Sequence, residues 1–442
     1  MAGGADKRAM SFSGLEAKVG RIRPRALVAD ALDGLRSSYW AVPALIATVG
    51  LLGAVALVFL DARLGDEWLA RFDWFYASRP SGAREVLSTI AGSTITVAGV
   101  VFSITLAAFT YASGQYGPQI LTNFSRDRGN QVALGVFIGT YLYCLVVLRT
   151  IRSAEEASAD TAGAVREAFV PDLAVLGAMT LAVLSIGVLV YFVHHVTVSI
   201  HIDTVIARIG RGLLRDAAER GREGVPEGAS AGVESEPPAR GRPCPARAAG
   251  YVRAVDRDAM LRAARRHGLA VRVAVAPGDF VRAGDALAYA DGADDEAAAA
   301  CLDAIAVGSR RSDARDLSFG IDELVQIAAR ALSPGVNDPF TAMSCMDWLG
   351  AALAEIAVTP PPPAVLRKDG GVVALKRRGF DHYLHRAFGR VRPYAARDRM
   401  ASAHLLGSLA RLADAVQKPA DRALVEAEAA RLRAETDEGG RE

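Results

Sequence analysis

Residues 86–112 read VLSTIAGSTITVAGVVFSITLAAFTYA, and this stretch decides the fold. Its twenty-seven residues carry no Asp, Glu, Lys, Arg or His, and the uncharged run extends to residue 125. A helix needs about 20 apolar residues to cross the hydrocarbon core of a bilayer, so this one is long enough. Soluble helices of that length almost always carry charge along one face. Working outward, residues 37–60, 129–148 and 173–193 are likewise free of charged side chains. The spacing predicts four membrane-spanning helices at about 41–60, 86–112, 132–149 and 173–193.

Composition agrees. Of 442 residues, 51% are hydrophobic and 23% charged, with a mean hydropathy of +0.20. Those values coexist because the two kinds of residue are segregated along the chain. The formal net charge of +2 gives no field directed at nucleic acid. The predicted organisation is a basic leader over 1–40, a transmembrane domain over 41–220, a Pro/Gly-rich mobile linker over 221–249, a small β-rich unit over 250–292 and a helical domain over 293–435. The expected fold class is therefore mainly α: a four-helix transmembrane domain followed by a soluble α+β domain. The first span follows a long basic lead and no small-residue cleavage site follows it, so it is expected to be retained.

Arginines near the span ends set the orientation. With the N-terminus inside, Arg21, Arg23, Arg25, Arg36, Arg126, Arg128, Arg208, Arg211 and Arg215 lie inward; Arg63, Arg71, Arg79, Arg84, Arg149, Arg152 and Arg166 lie outward. Cys144, Cys244, Cys301 and Cys345 match no metal or redox spacing, and the odd number in the polar half suits a reducing compartment. Both termini are expected in the cytoplasm.

On a helical wheel of the second span, Gly92, Thr96, Gly99, Ser103, Ala107 and Thr110 share one side. Leu87, Ile90, Val97, Val101 and Ile104 lie opposite. Small residues at three- and four-residue spacing let helices approach closely in lipid, which predicts helix packing and homo-oligomerisation. The other reading is a pore-lining face offering the hydroxyls of Thr96, Ser103 and Thr110. No Asp, Glu, Lys or Arg lies inside the spans, which disfavours an ion-coupled carrier but not a passive pore.

His194 and His195 close the fourth span and are candidate pH-sensing groups, the plainer reading being interface histidines. That helix is expected to run on through His201 to Arg220. Asp258–His267 reads as a helix, Val271, Val273 and Val275 as a strand, and Pro277–Asp279 and Ala283–Asp285 as turns. From Asp294 onward the chain reads as helical, apart from Pro360–Pro363 and the basic loop after them. In the segment Leu332–Ala342, Pro334–Gly335 stops one helix and Asp338 caps the next, with Pro339 at its first position. A binding loop built from Asn337, Asp338 and Thr341 is the alternative. His382 and His385 form an H-x-x-H beside Asp381, but no third metal ligand is evident, so no metal is expected. No P-loop, dinucleotide fingerprint or nucleophile elbow occurs. Neither an enzyme nor a cofactor is expected.

The words Ile90–Ser103, Gln115–Pro118, Phe124–Gln131, Tyr191–His195 and Leu332–Ala342, in that order, resemble the DUF2254 family of bacterial predicted membrane proteins, a family without an assigned activity. The resemblance implies a multi-pass protein of the bacterial inner membrane. Pro277–Val281 with Gly284–Leu287 is also similar to the paired turns of biotinyl/lipoyl half-barrels. The Lys expected at the hairpin tip is missing, which implies an adaptor module instead of a carrier. Together these readings predict an oligomeric passive channel or permeability factor gated by a cytoplasmic domain. The alternative is a non-conducting scaffold or sensor. The lipid bilayer is the expected partner, and the ligand of the soluble domain is not named by the sequence.

Overall fold

The computed structural model describes residues 39–64, 79–116, 127–152, 169–220, 230–232, 241–311 and 316–439. The basic leader up to residue 38, the connections 65–78 and 153–168, and most of the expected linker lie outside them. The chain divides into two compact units, residues 1–111 with 121–197, and residues 112–120 with 198–442.

The uncharged runs of the first unit are helices: α1 (Ala41–Leu64), α2 (Pro80–Tyr116), α3 (Arg128–Thr150) and α4 (Asp172–Ile200). Chain punctuation explains their ends. Pro80 opens α2, where a missing N–H costs nothing. Asp127 caps α3 by accepting from the Gly129 amide at 2.9 Å. Asp61, near the end of α1, reaches across to the start of α4 and accepts from the Leu173 and Ala174 amides at 3.2 and 3.0 Å. A buried carboxylate is thereby matched to unsatisfied N–H groups and to the positive end of a helix dipole.

Packing within this unit rests on glycines that the sequence reading left aside. α1 runs along α3, and a Cβ placed on Gly50 would lie 2.9 Å from the Gly139 carbonyl oxygen. Gly135 is closed off in the same way by Pro43 and Ile46. Such close backbone approach brings many atoms of the two helices into van der Waals contact. α2 buries Leu87, Ala91, Thr94, Ala98, Val101, Thr105 and Ala108. These alternate by four and three residues, a heptad-like seam of small and medium side chains.

In the second unit, α5 (Ile202–Arg220) begins after a break at His201, where a continuous helix was expected; the His201 carbonyl accepts from the Thr204 and Val205 amides and starts a new helix. Helices α6 (Arg257–His267), α7 (Asp295–Asp303), α8 (Leu317–Ala331) and α9 (Pro339–Val358) follow. Then come α10 (Phe380–Leu384), a π-helical turn at His385–Gly389, α11 (Arg390–Ala395), α12 (Arg399–Ala415) and α13 (Pro419–Gly439). The core is centred on α9, whose Met346, Leu349 and Leu353 are fully buried with Ile321, Leu324 and Phe388. Each such side chain contributes about 1.5–3 kcal/mol by leaving water. Trp348 of α9 lies against Gly210 of α5.

Among the described residues, nine strands accompany these helices: β1 (Ser230–Gly232), β2 (Arg242–Pro245), β3 (Gly250–Val255), β4 (Ala270–Val273), β5 (Phe280–Val281), β6 (Ala286–Asp291), β7 (Ile305–Gly308), β8 (Val365–Lys368) and β9 (Gly371–Ala374). One sheet has the order β1-β8-β9-β4-β6-β2, the other β5-β3-β7. All pairings are antiparallel except β4 with β9. The two expected turns are present. Gly278 (φ 88) and Gly284 (φ 91) occupy the left-handed region that only glycine enters freely, and Asp279 and Asp285 close the turns through the Ala276 and Arg282 amides.

Two expectations are corrected, and one contact is added. β2 lies inside the segment read as mobile linker: its prolines are tolerated because it is an edge strand, and it buries Cys244. β7 and the β8–β9 hairpin lie in the segment read as helical or as a basic loop, because strands of four residues are too short to show a period against the helices around them. Cys244 and Cys301, far apart in sequence, meet: the Cys301 thiol holds the Cys244 thiol below its ordinary value against the opposing effect of burial.

Among the described residues, five helices are long and apolar enough to cross a membrane by length and composition: α1, α2, α3, α4 and α9. The protein is thus mainly helical, with several apolar helices and a smaller sheet-containing region. The exact count of four does not follow from length and composition, which also admit α9.

Candidate functional site

The small-residue face of α2 is exposed throughout. Gly92, Thr96, Gly99, Ser103 and Thr110 are all open, and a Cβ on Gly92 or Gly99 would meet nothing within 4 Å. The side of α2 that packs within the chain is a different one, the Leu87-to-Ala108 seam. On the strip, Thr96 donates to the Gly92 carbonyl at 2.8 Å, Ser103 to Gly99 at 2.9 Å and Thr110 to Leu106 at 2.9 Å. The hydroxyl donors are thus satisfied inside their own helix, as a low-dielectric setting requires. The open faces of the neighbours differ in kind. α1 presents Leu45, Val49, Leu52, Val55 and Phe59, and α4 presents Val183, Leu184, Ile186, Val190 and Val193.

His195, on α4, packs against the start of α3. Its Nε2 lies 2.8 and 3.0 Å from the two carboxylate oxygens of Asp127, and its ring stacks on Tyr191 at 5.3 Å. A Cβ on Gly129 would fall 2.5 Å from that Nε2, so glycine is what admits the ring. Asp127 therefore has two tasks, capping α3 and orienting an imidazole. His194 is exposed and takes no part in this contact. Next to the pair, Asn130 is fully buried, and among the described residues neither atom of its amide has a hydrogen-bond partner. Such a group costs free energy unless something uses it. Nothing in the periodicity of the chain marked Asn130 or Asp127.

In the second unit, the Asn337–Thr341 corner is occupied by its own capping. Asp338 accepts from the Thr341 amide at 3.2 Å and hydroxyl at 2.6 Å, and Asn337 takes the left-handed conformation (φ 49) that the corner needs. Of the H-x-x-H pair, His382 stands 3.5 Å from the Ser318 hydroxyl and His385 packs on Gly389. Burial and the nearby Arg378 and Arg386 push His382 below its ordinary value. Among the described residues no group of three His, Cys, Asp or Glu side chains is placed to hold a metal.

Sequence reasoning missed a buried ionic chain that joins the β strands of this unit to its helices. Asp279 receives Lys376 at 2.9 Å and Arg378 at 2.7 Å. Arg378 also reaches Asp316 at 3.2 Å, which Arg311 holds from the other side at 2.6 Å. Arg311 continues to Asp322 at 2.6 Å, where Arg386 and Arg390 converge. Burial opposes charge on Asp279 and Asp322, yet the donors outweigh it and hold both below the usual carboxylate range. The same balance raises Arg311. Partners from residue 279 to residue 390 have no common period, and only the Pro277–Gly278–Asp279 turn was visible beforehand.

Residues 36–411 match the profile of a family described as "Predicted membrane protein (DUF2254)". Similar proteins include an uncharacterised protein of Mycobacterium bovis and one of Mycobacterium tuberculosis strain H37Rv. Each is 31% identical over 422 residues, covering 90% of this chain and 76% of the relative. A third, from M. tuberculosis strain CDC 1551, is 30% identical over 420 residues, with the same coverage. No solved structure gives a significant match.

Proposed function

The chain belongs to the DUF2254 family of predicted membrane proteins, and from that premise we propose that it is a multi-pass protein of the bacterial inner membrane that forms homo-oligomers through α2. In this reading α1 to α4 span the bilayer. α9 does not, because it buries its apolar residues against α5, α8 and α12 of its own unit. Both termini face the cytoplasm, as the arginines near the span ends favour.

One observation carries the proposal: the exposed Gly92–Thr110 strip differs from the bulky aliphatic faces of α1 and α4. A face meant for lipid would resemble those two. A face of Gly, Ser and Thr is suited to a second copy of itself, approached closely. Around an oligomer axis the strip would line a passive, uncharged permeation path, with the second unit as its regulatory domain. A second reading, a non-conducting scaffold or sensor, is favoured by the hydroxyls' bonds to their own backbone, which let the strip close dry.

Two measurements separate these. Oxidative cross-linking of Gly99→Cys in membranes should trap covalent dimers, whereas Val190→Cys on the aliphatic face of α4 should not. Equal cross-linking at both positions refutes the α2 interface. For conduction, purified protein in liposomes should pass small solutes, and Ser103→Leu should reduce that flux while the oligomer persists. If the wild-type oligomer passes nothing under voltage or osmotic shock, the scaffold reading stands.

A further inference from the structure

The second unit contains a cavity of about 490 Å³ that neither the sequence reading nor the family description assigns. Its size falls within the range of small-molecule sites, about 300–1,000 Å³. Five cationic side chains line it: Arg220 at the end of α5, Arg257 at the start of α6, and Lys376, Arg377 and Arg378 in succession after β9. Asp316 also lines it, already held by Arg311 and Arg378. Lys376 and Arg378 are committed to Asp279.

Arg220 and Arg377 are placed differently. Arg220 donates to the Arg378 carbonyl at 3.0 Å and lies over the Tyr383 ring at 5.2 Å. Those contacts fix its direction without neutralising it. Arg377 has no ion pair or hydrogen bond among the described residues, and burial together with the Arg220 charge pushes it below its ordinary value. Two guanidiniums therefore repel each other across one cavity with no carboxylate bonded to either, an arrangement that an anion would relieve. The remaining wall is of two kinds. Pro277, Pro362 and Leu375 offer an apolar surface, and Asp216 and Glu219 offer carboxylates on the α5 side.

We propose that this cavity binds a phosphorylated small molecule of nucleotide size, with its phosphates on Arg220 and Arg377 and its body on the proline and leucine wall. Guanidinium is the side chain best shaped for phosphate, through paired N–H donors. Hydroxyls of a sugar would donate to Glu219. The site lies wholly within the second unit and does not depend on the oligomer proposed above.

The test is calorimetric titration of the full chain in detergent with four probes: ADP, pyrophosphate, adenosine and glycerol 3-phosphate. ADP should bind most tightly, pyrophosphate should bind more weakly, and adenosine should give no heat. Arg377→Ala should weaken ADP binding about tenfold or more, and Arg377→Lys should weaken it less, since a charge-assisted pair is lost in one and kept in the other. Arg377 has no structural partner, so its variants should fold; an unchanged melting temperature checks that. Asp347→Ala, at a distant surface pair, should bind as wild type does. Absence of heat with every phosphate probe overturns the proposal. So does undiminished ADP binding in both Arg377→Ala and Arg220→Ala. Glycerol 3-phosphate binding more tightly than ADP would overturn the nucleotide-sized body and point to a lipid-headgroup source.

Discussion

Asp316→Ala should be among the most damaging single substitutions in the second unit. The Asp316 side chain is 1% exposed, yet it meets Arg311 at 2.6 Å, Arg378 at 3.2 Å and the Ser318 amide at 3.1 Å. Removing it leaves two guanidiniums, themselves 14% and 11% exposed, facing one another without their shared carboxylate. Breaking a buried pair by deleting one partner costs about 3–5 kcal/mol, and loss of the α8 cap accounts for about 1 kcal/mol within that total. For a unit of this size each kcal/mol moves the midpoint by about 2–4 °C, so a fall on the order of 10 °C is expected. Trp348, packed on Gly210 in this unit, makes intrinsic fluorescence during heating a suitable assay. Asp347→Ala is the control: its carboxylate is 53% exposed and its pairs with His404 and Arg411 are worth about 1 kcal/mol at most. The double variant Asp316→Ala/Arg311→Met should recover part of the loss, because Arg311, though still paired with Asp322, is one of the cations then in excess over carboxylates in this chain of pairs. If Asp316→Ala shifts the midpoint no more than Asp347→Ala does, the chain of ion pairs is not holding this unit together and the reasoning fails.

Further outcomes follow from other particulars. Gly139→Leu should separate α1 from α3 and lower the detergent stability of the first unit, whereas Gly53→Leu, where a Cβ meets nothing, should be neutral; equal effects in a melting series would contradict the Gly50–Gly139 contact. Asp279 and Asp322 are held below the usual carboxylate range, so the unfolded chain takes up their protons first as pH falls. Their contribution is complete above the unfolded value of about 4 and is lost as pH drops through the folded values; the Trp348 melting midpoint should be level from neutrality to about pH 5 and then decline, and Asp322→Asn should shallow that decline. Asn130→Leu should leave the melting temperature equal or higher, since it removes two unsatisfied buried atoms; a marked fall would mean that the amide has a partner in the native membrane. All four cysteines are buried, so a thiol reagent should modify none of them in the folded protein and all four in denaturant, and rapid labelling of the native chain would count against the packing described.

How far the residues announced this arrangement depends on the range of the interaction involved. The uncharged runs were legible because lipid imposes one rule on every residue of a span, and a rule applied over twenty positions leaves a mark that survives exceptions. The Pro277–Asp279 and Ala283–Asp285 turns and the Asp338 cap were legible for the opposite reason: each is complete within four residues, and glycine or proline marks the spot. What the order of residues concealed was everything assembled from distant pieces. Gly50 and Gly139 look like incidental glycines until α1 and α3 are laid together. Asp127 and His195 stand 68 positions apart, Asp279 and Arg378 ninety-nine. A short strand such as β7 hides among helices for a related reason, since its pairing partner β3 lies some fifty residues earlier. The face of α2 shows how a local pattern can mark only one of two seams on a helix. The strip of Gly92, Thr96, Gly99, Ser103 and Thr110 exists, but the helix spends a second set of small residues, Ala91, Thr94, Ala98, Thr105 and Ala108, on its own chain. A lone span in lipid needs neither set. Two seams on one helix, one covered by its own chain and one left open, are therefore the physical ground for expecting a second copy of the protein against the open one.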